Sequence, residues 1–541
     1  MSKYAVILFS FVLSFGQQIL ANTRPNVVIF VADDLGYADT GYRGSEIETP
    51  SLDRLAAEGV DLQRFYTAPI CSPTRAALMT GRNPNRLGVT YSVLLPWSSG
   101  GVHTSETFMS ESFQAAGYQT AIVGKWHLGH SQQVFHPNAR GFEDFYGHLH
   151  TEVGMYPPFS ILGGNDFQLN GKSIDPASIE GDGYETFLLS DYASQWIEQR
   201  DSDKPFFLYL PFLAPHEPLA APDDLVEKYK DLKDNREAAR SPSDDMSKLA
   251  RLTGVKSRRP LYAAVVDAMD QAVGQVLDTL DSQGIADNTI VLFFSDNGAT
   301  RVYGRGGGDN YPLRGGKAET YEGGIRAVSL MRWPNKIPAA SQLDEIMTVM
   351  DVFPTLAAAT GIQANNNFAF DGINMLPALN NSKTIKRNQN VFFGSEIPRY
   401  GSFNFTVFND EWKLVQWVEQ DLLSTTVTNE LFRIKDDIGE HNNLAQQHPK
   451  VVAALSRDIL RWRSLYPING TRARISSPPG WHPPKDWASY PRPLEELQAD
   501  PATSMAPSKA TEFMLDFMME DRGRLIYNCE PNRWLGGICK P

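Results

Sequence analysis

The residues able to do chemistry fall into short polar groups, most of them following an apolar run. Asp33-Asp34 follows Asn26–Ala32, Lys125-Trp126-His127 ends the run from Gly117, His216 follows Pro205–Phe212, and Asp296-Asn297 follows Thr289–Phe294. A further group, Cys71-Ser72-Pro73-Thr74-Arg75, sets a lone cysteine at the mouth of an expected helix, with Arg75 one turn on and on the same side. Asp33, Asp34, Asp296 and Asn297 offer only oxygen donors, a set suited to Ca²⁺ or Mg²⁺ and poorly suited to zinc. Arg75, Lys125, His127, His216 and Lys317 supply an anion pocket beside that cation. Together they describe a site for a tetrahedral oxyanion ester, with charge neutralised as the leaving oxygen departs. Phosphate and sulfate both fit.

Elements must bring these groups together. Asn26–Ala32, Gly117–His127, Pro205–Phe212 and Thr289–Phe294 read as strands buried on both faces, and open α/β sheets place ligands at the carboxyl ends of such strands. Helices are expected over Ser51–Gly59 with Ser51 as N-cap, Ser105–Ala116, Leu261–Gln283 and Asp351–Ala359, with another strand at Val328–Arg332. The glycine-rich, basic stretch Arg301–Lys317 forms an anion-facing wall or a surface loop. Beyond Lys386, Ser402–Trp417 alternates as antiparallel strands do, Glu430–Ile434 adds another, and Val451–Tyr466 has amphipathic helical spacing. The proline- and tryptophan-rich stretch Ile475–Pro493 is expected to wrap the surface.

At 541 residues the chain calls for one large domain and a smaller one. Its net charge of −13 argues against general nucleic-acid binding. Residues 1–22 read as a secretory signal peptide, giving a secreted or periplasmic protein with no stable membrane insertion. Cysteines are few for an exported protein, which leans towards a bacterial enzyme; Cys529 and Cys539 could close a small loop, leaving Cys71 alone. Acceptor sequons begin at Asn380, Asn404 and Asn469 and matter only if the host glycosylates.

Cys71-Ser72-Pro73-Thr74-Arg75 matches the C-x-P-x-R maturation motif of type I, formylglycine-dependent sulfatases, and Gly117–His127 matches their second signature around Gly-Lys-x-His. The order of the polar tips matches too, and Asn26 to about Trp333 resembles arylsulfatase B and its relatives. The resemblance implies an alkaline-phosphatase-like α/β fold: a large mixed β-sheet between helices, then a smaller C-terminal α+β domain containing an antiparallel sheet. It implies that a formylglycine-generating or anaerobic maturation enzyme oxidises Cys71 to Cα-formylglycine, whose hydrate attacks sulfur to give a covalent sulfate intermediate. One Ca²⁺ would be held by Asp33, Asp34, Asp296, Asn297 and the modified Cys71. Arg75 and His127 would position and deprotonate the nucleophile, while Lys125, His216 and Lys317 would bind sulfate and assist the departing alcohol.

The expected organisation is a signal peptide at 1–22, a catalytic domain at 23–386 and a smaller domain at 387–541. The expected substrate is a sulfated oligo- or polysaccharide, of glycosaminoglycan or algal type, with a mild preference for a 4-sulfated N-acetylgalactosamine end group. Trp97, Trp126, Tyr303 and Tyr311 are candidates to stack on a sugar face. The alternatives are a phosphate or phosphonate monoester hydrolase using the same site, and a non-catalytic binder of sulfated glycans.

Overall fold

The computed structural model describes residues 24–489, except 92, 152, 158, 160, 162–163, 235–255, 301–305, 365, 398–401, 421–423 and 468–479. The signal-peptide reading, the Cys529–Cys539 loop, the Asn469 sequon and Tyr303 therefore lie outside the described residues.

The first strand explains the layering. β1 (Asn26–Ala32) is wholly buried, and its side chains alternate between two cores. Val27, Ile29 and Val31 enter one core with Ala76, Ala77, Phe113 and Phe353, whereas Val28, Phe30 and Ala32 enter the other with Leu189, Val265 and Val273. A continuous apolar run suits a strand with helices on both faces, and those residues come from helices Cys71–Thr80, Met109–Ala115 and Val352–Thr360 on one side and Glu185–Gln199 and Arg259–Ser282 on the other.

The remaining strands are β2 (Val60–Leu62), β3 (Phe65–Tyr66), β4 (Gln119–Lys125), β5 (Asp144–His148), β6 (Gln168–Leu169), β7 (Lys172–Ser173), β8 (Phe206–Pro211), β9 (Thr289–Ser295), β10 (Ser329–Arg332), β11 (Ser341–Leu343) and β12 (Met347–Thr348). Ten of the first twelve strands form one sheet in the order β11-β2-β10-β9-β1-β8-β4-β5-β6-β7, and β3 pairs with β12. Its centre, β9-β1-β8-β4-β5, is parallel, while β10 runs antiparallel to both β9 and β2. The sheet is thus mixed, as the resemblance implied. Its central order also sets β1, β8, β9 and β4 side by side, so the carboxyl ends predicted to carry polar groups share one edge.

Beyond it, β13 (Val391–Ile397), β14 (Ser402–Phe408), β15 (Lys413–Gln420) and β16 (Thr425–Phe432) form a four-stranded antiparallel sheet. Helix Pro449–Arg463 packs on it through Leu455, Ile459 and Trp462 against Phe405, Leu414 and Leu431.

Several expectations need correction. The first long helix starts at Pro50 behind Thr49, so Ser51 is inside it and is not the N-cap; proline at the first position needs no N–H partner. The helix expected from Ser105 begins at Met109, where Glu111 accepts from the Phe108 N–H. The strand expected over Glu430–Ile434 is the end of the longer β16. Trp126 is buried in the core and its indole N–H donates to the Gly129 and Phe135 carbonyls, which removes it from the sugar-stacking candidates. Asn404 is also buried: its side chain accepts from Thr320 N–H and donates to the Ala318 and Ser395 carbonyls, so that sequon offers no accessible acceptor.

Candidate active site

Helix Cys71–Thr80 is buried along its whole length, with Cys71 at its first position. Its entry is fixed from two sides. Ser72 Oγ donates to the His127 carbonyl at 3.0 Å and accepts from Leu94 N–H at 3.1 Å, while the Ala318 N–H reaches the Pro69 carbonyl at 2.7 Å. These contacts bring the tip of β4 and the Lys317 loop against the cysteine.

The predicted groups converge there. Cys71 Sγ lies 3.4 Å from Asp33 Oδ1. Arg75, one turn along, donates to Asp296 Oδ2 at 3.1 and 2.9 Å, to Asp33 Oδ2 at 3.3 Å and to the Lys125 carbonyl at 3.0 Å. Lys125 Nζ pairs with Asp33 and donates to Thr151 Oγ1 at 2.8 Å. Lys317 Nζ donates to Asp34 Oδ2 at 2.7 Å, and His216 Nε2 lies 3.8 Å from the same oxygen. Asn297 Nδ2 donates to Asp34 Oδ1 at 2.6 Å. Most of these side chains are buried; those of Lys317 and His216 retain 20% and 18% exposure, so solvent reaches the site at them.

The backbone is bent to aim three of the groups. Asp34 (φ 70°), His127 (φ 60°) and Ala318 (φ 69°) adopt the left-handed region that non-glycine residues avoid at a cost of about 1–3 kcal/mol each. Two are expected site residues, and the third follows Lys317. Such a cost is retained where the surrounding structure fixes it.

Electrostatics assign protonation states. Burial, then Lys125 and Arg75, hold the His127 imidazole well below the usual histidine range, so it is neutral. Burial and Lys317 bring His216 down to about 4. For Asp33, burial acts upward but is outweighed by Lys125, His216 and Arg75, which keep the carboxyl well below its ordinary range. Burial and the adjacent Asp33 push Asp296 up to about 7. Burial, then Asp296 and Asp33, push the Cys71 thiol far up, so as a thiol it stays protonated and is a poor nucleophile.

The donor set fits a hard cation. Asp33, Asp34, Cys71 and His216 each present a ligand atom, all within 4.8 Å of one another. Asn297 Oδ1 is buried and meets no hydrogen-bond partner among the described residues. Two carboxylates and an unpartnered amide oxygen close together suit oxygen coordination of a cation. Of the expected ligands, Asp296 is turned towards Arg75, and His216 stands in the cluster although the sequence reading gave it a different task.

Two contributors escaped the sequence reading. Thr151 holds Lys125 from a loop with no motif around it. Tyr209, inside β8, is fully buried and faces Arg75, whose charge acts on its hydroxyl against the effect of burial. A polar hydroxyl in an otherwise apolar strand was its one visible signal.

Comparison with known proteins agrees with this arrangement. Residues 25–362 match the sulfatase family, and residues 316–464 match the family described as N-sulphoglucosamine sulphohydrolase, C-terminal. The chain is 29% identical to arylsulfatase J of Mus musculus over 87% of its own length and 79% of that protein's. It is 33% identical to N-acetylgalactosamine-6-sulfatase of Homo sapiens over 67% of each. Among solved structures it superposes on Ps i-CgsB, crystallised with k-i-k-neocarrahexaose, with a TM-score of 0.69 at 28% identity, covering 90% of this chain and 99% of that one. The chain belongs to the sulfatase family and is a sulfuric ester hydrolase with the fold of those enzymes.

Proposed function

We infer that this sulfatase releases sulfate from a sulfated carbohydrate outside the cytoplasm, using Cys71 as the precursor of its nucleophile. The observation that carries the reading is the convergence of Arg75, Lys125, His127, His216 and Lys317 around Cys71 and Asp33-Asp34. Relatives named for N-acetylgalactosamine-6-sulfate and a neighbour crystallised with a carrageenan-type hexasaccharide support a saccharide substrate.

Oxidation of Cys71 to Cα-formylglycine by a maturation enzyme would supply a hydrated aldehyde as nucleophile. Asp33, Asp34, Asp296, Asn297 and the modified Cys71 would hold one Ca²⁺, which supplies Lewis-acid polarisation of sulfate oxygen. The chain's own side chains then do the rest. His127, neutral and without a hydrogen-bond partner among the described residues, takes up the proton of the attacking group. Arg75 fixes the orientation of the Asp33 and Asp296 carboxylates. Lys125, Lys317 and His216 bind sulfate oxygens as charge builds on them and assist the departing alcohol.

Residues 1–22 support export, and no helix among the described residues is long and apolar enough to cross a membrane. The division near Lys386 remains our reading of the domain boundary; β13 begins at Val391. A panel of defined sulfated oligosaccharides, assayed for released sulfate with the matured protein, tests the substrate class. Sulfate release from at least one saccharide is expected, and turnover confined to simple aryl sulfates would overturn it. A large preference for p-nitrophenyl phosphate over the sulfate would favour the phosphoester alternative, whose fold is shared by a phosphonate monoester hydrolase of Agrobacterium radiobacter (TM-score 0.59, 18% identity).

A further inference from the structure

The stretch 480–489 packs on segments more than 300 residues earlier in the chain, around His130, His150 and Asn165. Trp487 N–H donates to the Asn165 carbonyl at 2.8 Å, Asn165 N–H donates to the Lys485 carbonyl at 3.1 Å, and Ser173 hydrogen-bonds Asp486. A Cβ on Gly164 would stand 2.0 Å from the Pro484 carbonyl, so the two segments touch through their backbones. The Trp487 indole is fully buried and packs against His150 (centroids 4.3 Å apart) and His130 (5.8 Å).

This anchorage holds a second tryptophan against Trp97. Trp481 is half-buried; its ring lies 6.5 Å from Trp487 and meets Trp97 edge-on at 5.6 Å. Trp97, also half-buried, comes from a loop fixed to the site at three places: Leu94 N–H on Ser72 Oγ, His130 on the Pro96 carbonyl at 2.9 Å, and Ser131 Oγ on the Ser99 carbonyl. Trp97 is three chain steps from Leu94, so its Cα lies at most about 11 Å from that of the residue bonded to Ser72. On the other side, His150, which carries Trp487, adjoins Thr151, the residue that holds Lys125.

We propose that Trp97 and Trp481 form an aromatic platform for the sugar unit next to the sulfated one, making residues 480–489 part of the substrate-binding wall. The proposal rests on the saccharide reading above and adds to it a substrate longer than one sugar. Pyranose rings present an apolar C–H face that covers an indole, and the platform is built in advance: one tryptophan is tied to the nucleophile's helix and the other to a fixed tail, so little freedom is lost on binding. Anchoring by Trp487, Asn165 and Ser173 explains why a tail so distant in sequence is ordered here.

The test uses full-length matured protein carrying Trp481→Ala, Trp97→Ala or Trp481→Phe. The probes are p-nitrophenyl sulfate, N-acetylgalactosamine 6-sulfate, a chondroitin sulfate tetrasaccharide and an ι-carrageenan hexasaccharide. The expected result is a loss of about tenfold in kcat/KM, mainly through KM, on whichever oligosaccharide the wild type turns over, with p-nitrophenyl sulfate and the monosaccharide changed less than about twofold and Trp481→Phe retaining most activity. Equal losses on all probes would mean a structural role, and no loss on the oligosaccharide would also overturn the platform while leaving the saccharide reading intact. A wild type that cleaves p-nitrophenyl sulfate but no saccharide would overturn both.

Discussion

Neither ring nitrogen of His127 meets a hydrogen-bond partner among the described residues, although the side chain is fully buried and its backbone sits at φ 60°. Buried polar groups are usually paired, and an unpaired group at a strained position fits the proton-transfer role proposed for His127. His127→Ala should lower kcat by about 10²–10⁴-fold while far-ultraviolet circular dichroism stays unchanged. A variant that keeps wild-type kcat would remove His127 from the proton-transfer role. Cys71→Ala should fall to the assay background, since the neighbouring Ser72 hydroxyl is held by the His127 carbonyl and the Leu94 N–H. Residual activity above background, in protein free of wild-type contamination, would locate the nucleophile elsewhere.

At the scale of elements, the close pairing of β4 with β8 sets where Lys125 emerges. Gly124 has φ 126°, and a Cβ there would stand 2.1 Å from the Pro211 carbonyl. Gly124→Ala should therefore cost at least about 1–3 kcal/mol in urea unfolding and displace the adjacent Lys125, lowering kcat/KM as well. An unchanged unfolding midpoint would show that the strands have slack here. The segment after β4 also carries His130, which burial holds at about 4. Between pH 4 and the unfolded value near 6.5, the unfolded chain binds a proton that the folded chain does not, so this group makes stability rise with pH across that window and fall on acidification. Its full contribution is at most about 3 kcal/mol. Melting curves from pH 4 to 7 should show a shallower rise for His130→Gln than for the wild type, and parallel curves would refute the assignment.

These elements also show what was legible beforehand. The central strands are buried on both faces, so β1, β8 and β9 stand out as apolar runs with polar groups at their ends, and the site could be assembled from those ends. β5 could not be read, because Asp144-Phe145-Tyr146-Gly147-His148 mixes charge, glycine and aromatics at a strand whose pairing is set by β4. β13 was hidden by Gly394 and Ser395 inside it. The burial of Asn404, the grip of Thr151 on Lys125 and the docking of Trp487 depend on contacts between distant segments or outside any motif, and leave no local pattern.

Across the whole molecule, a buried ion cluster ties the four-stranded sheet to helix Glu322–Ile325 and to β3. Lys413 Nζ in β15 lies 2.9 Å from both Glu322 and Glu440, and Tyr66 donates to Glu322 at 3.0 Å. Lys413→Met leaves two buried carboxylates facing each other and should destabilise the protein by about 3–5 kcal/mol in urea unfolding. A loss below about 1 kcal/mol would show that the cluster does not hold the four-stranded sheet in place. Ca²⁺ binding should likewise raise the melting temperature, by the equivalent of about 2.7 kcal/mol at a concentration 100-fold above Kd. Asp34→Ala should abolish that shift, and an identical shift in the variant would place the ion elsewhere. The central claim concerns what Cys71 becomes, and the intact mass of protein with demonstrated sulfate-releasing activity tests it most directly. The account predicts that the active fraction has lost sulfur and two hydrogens and gained one oxygen, mapped to the peptide containing Cys71; full activity in protein whose Cys71 is entirely an unmodified thiol would contradict it.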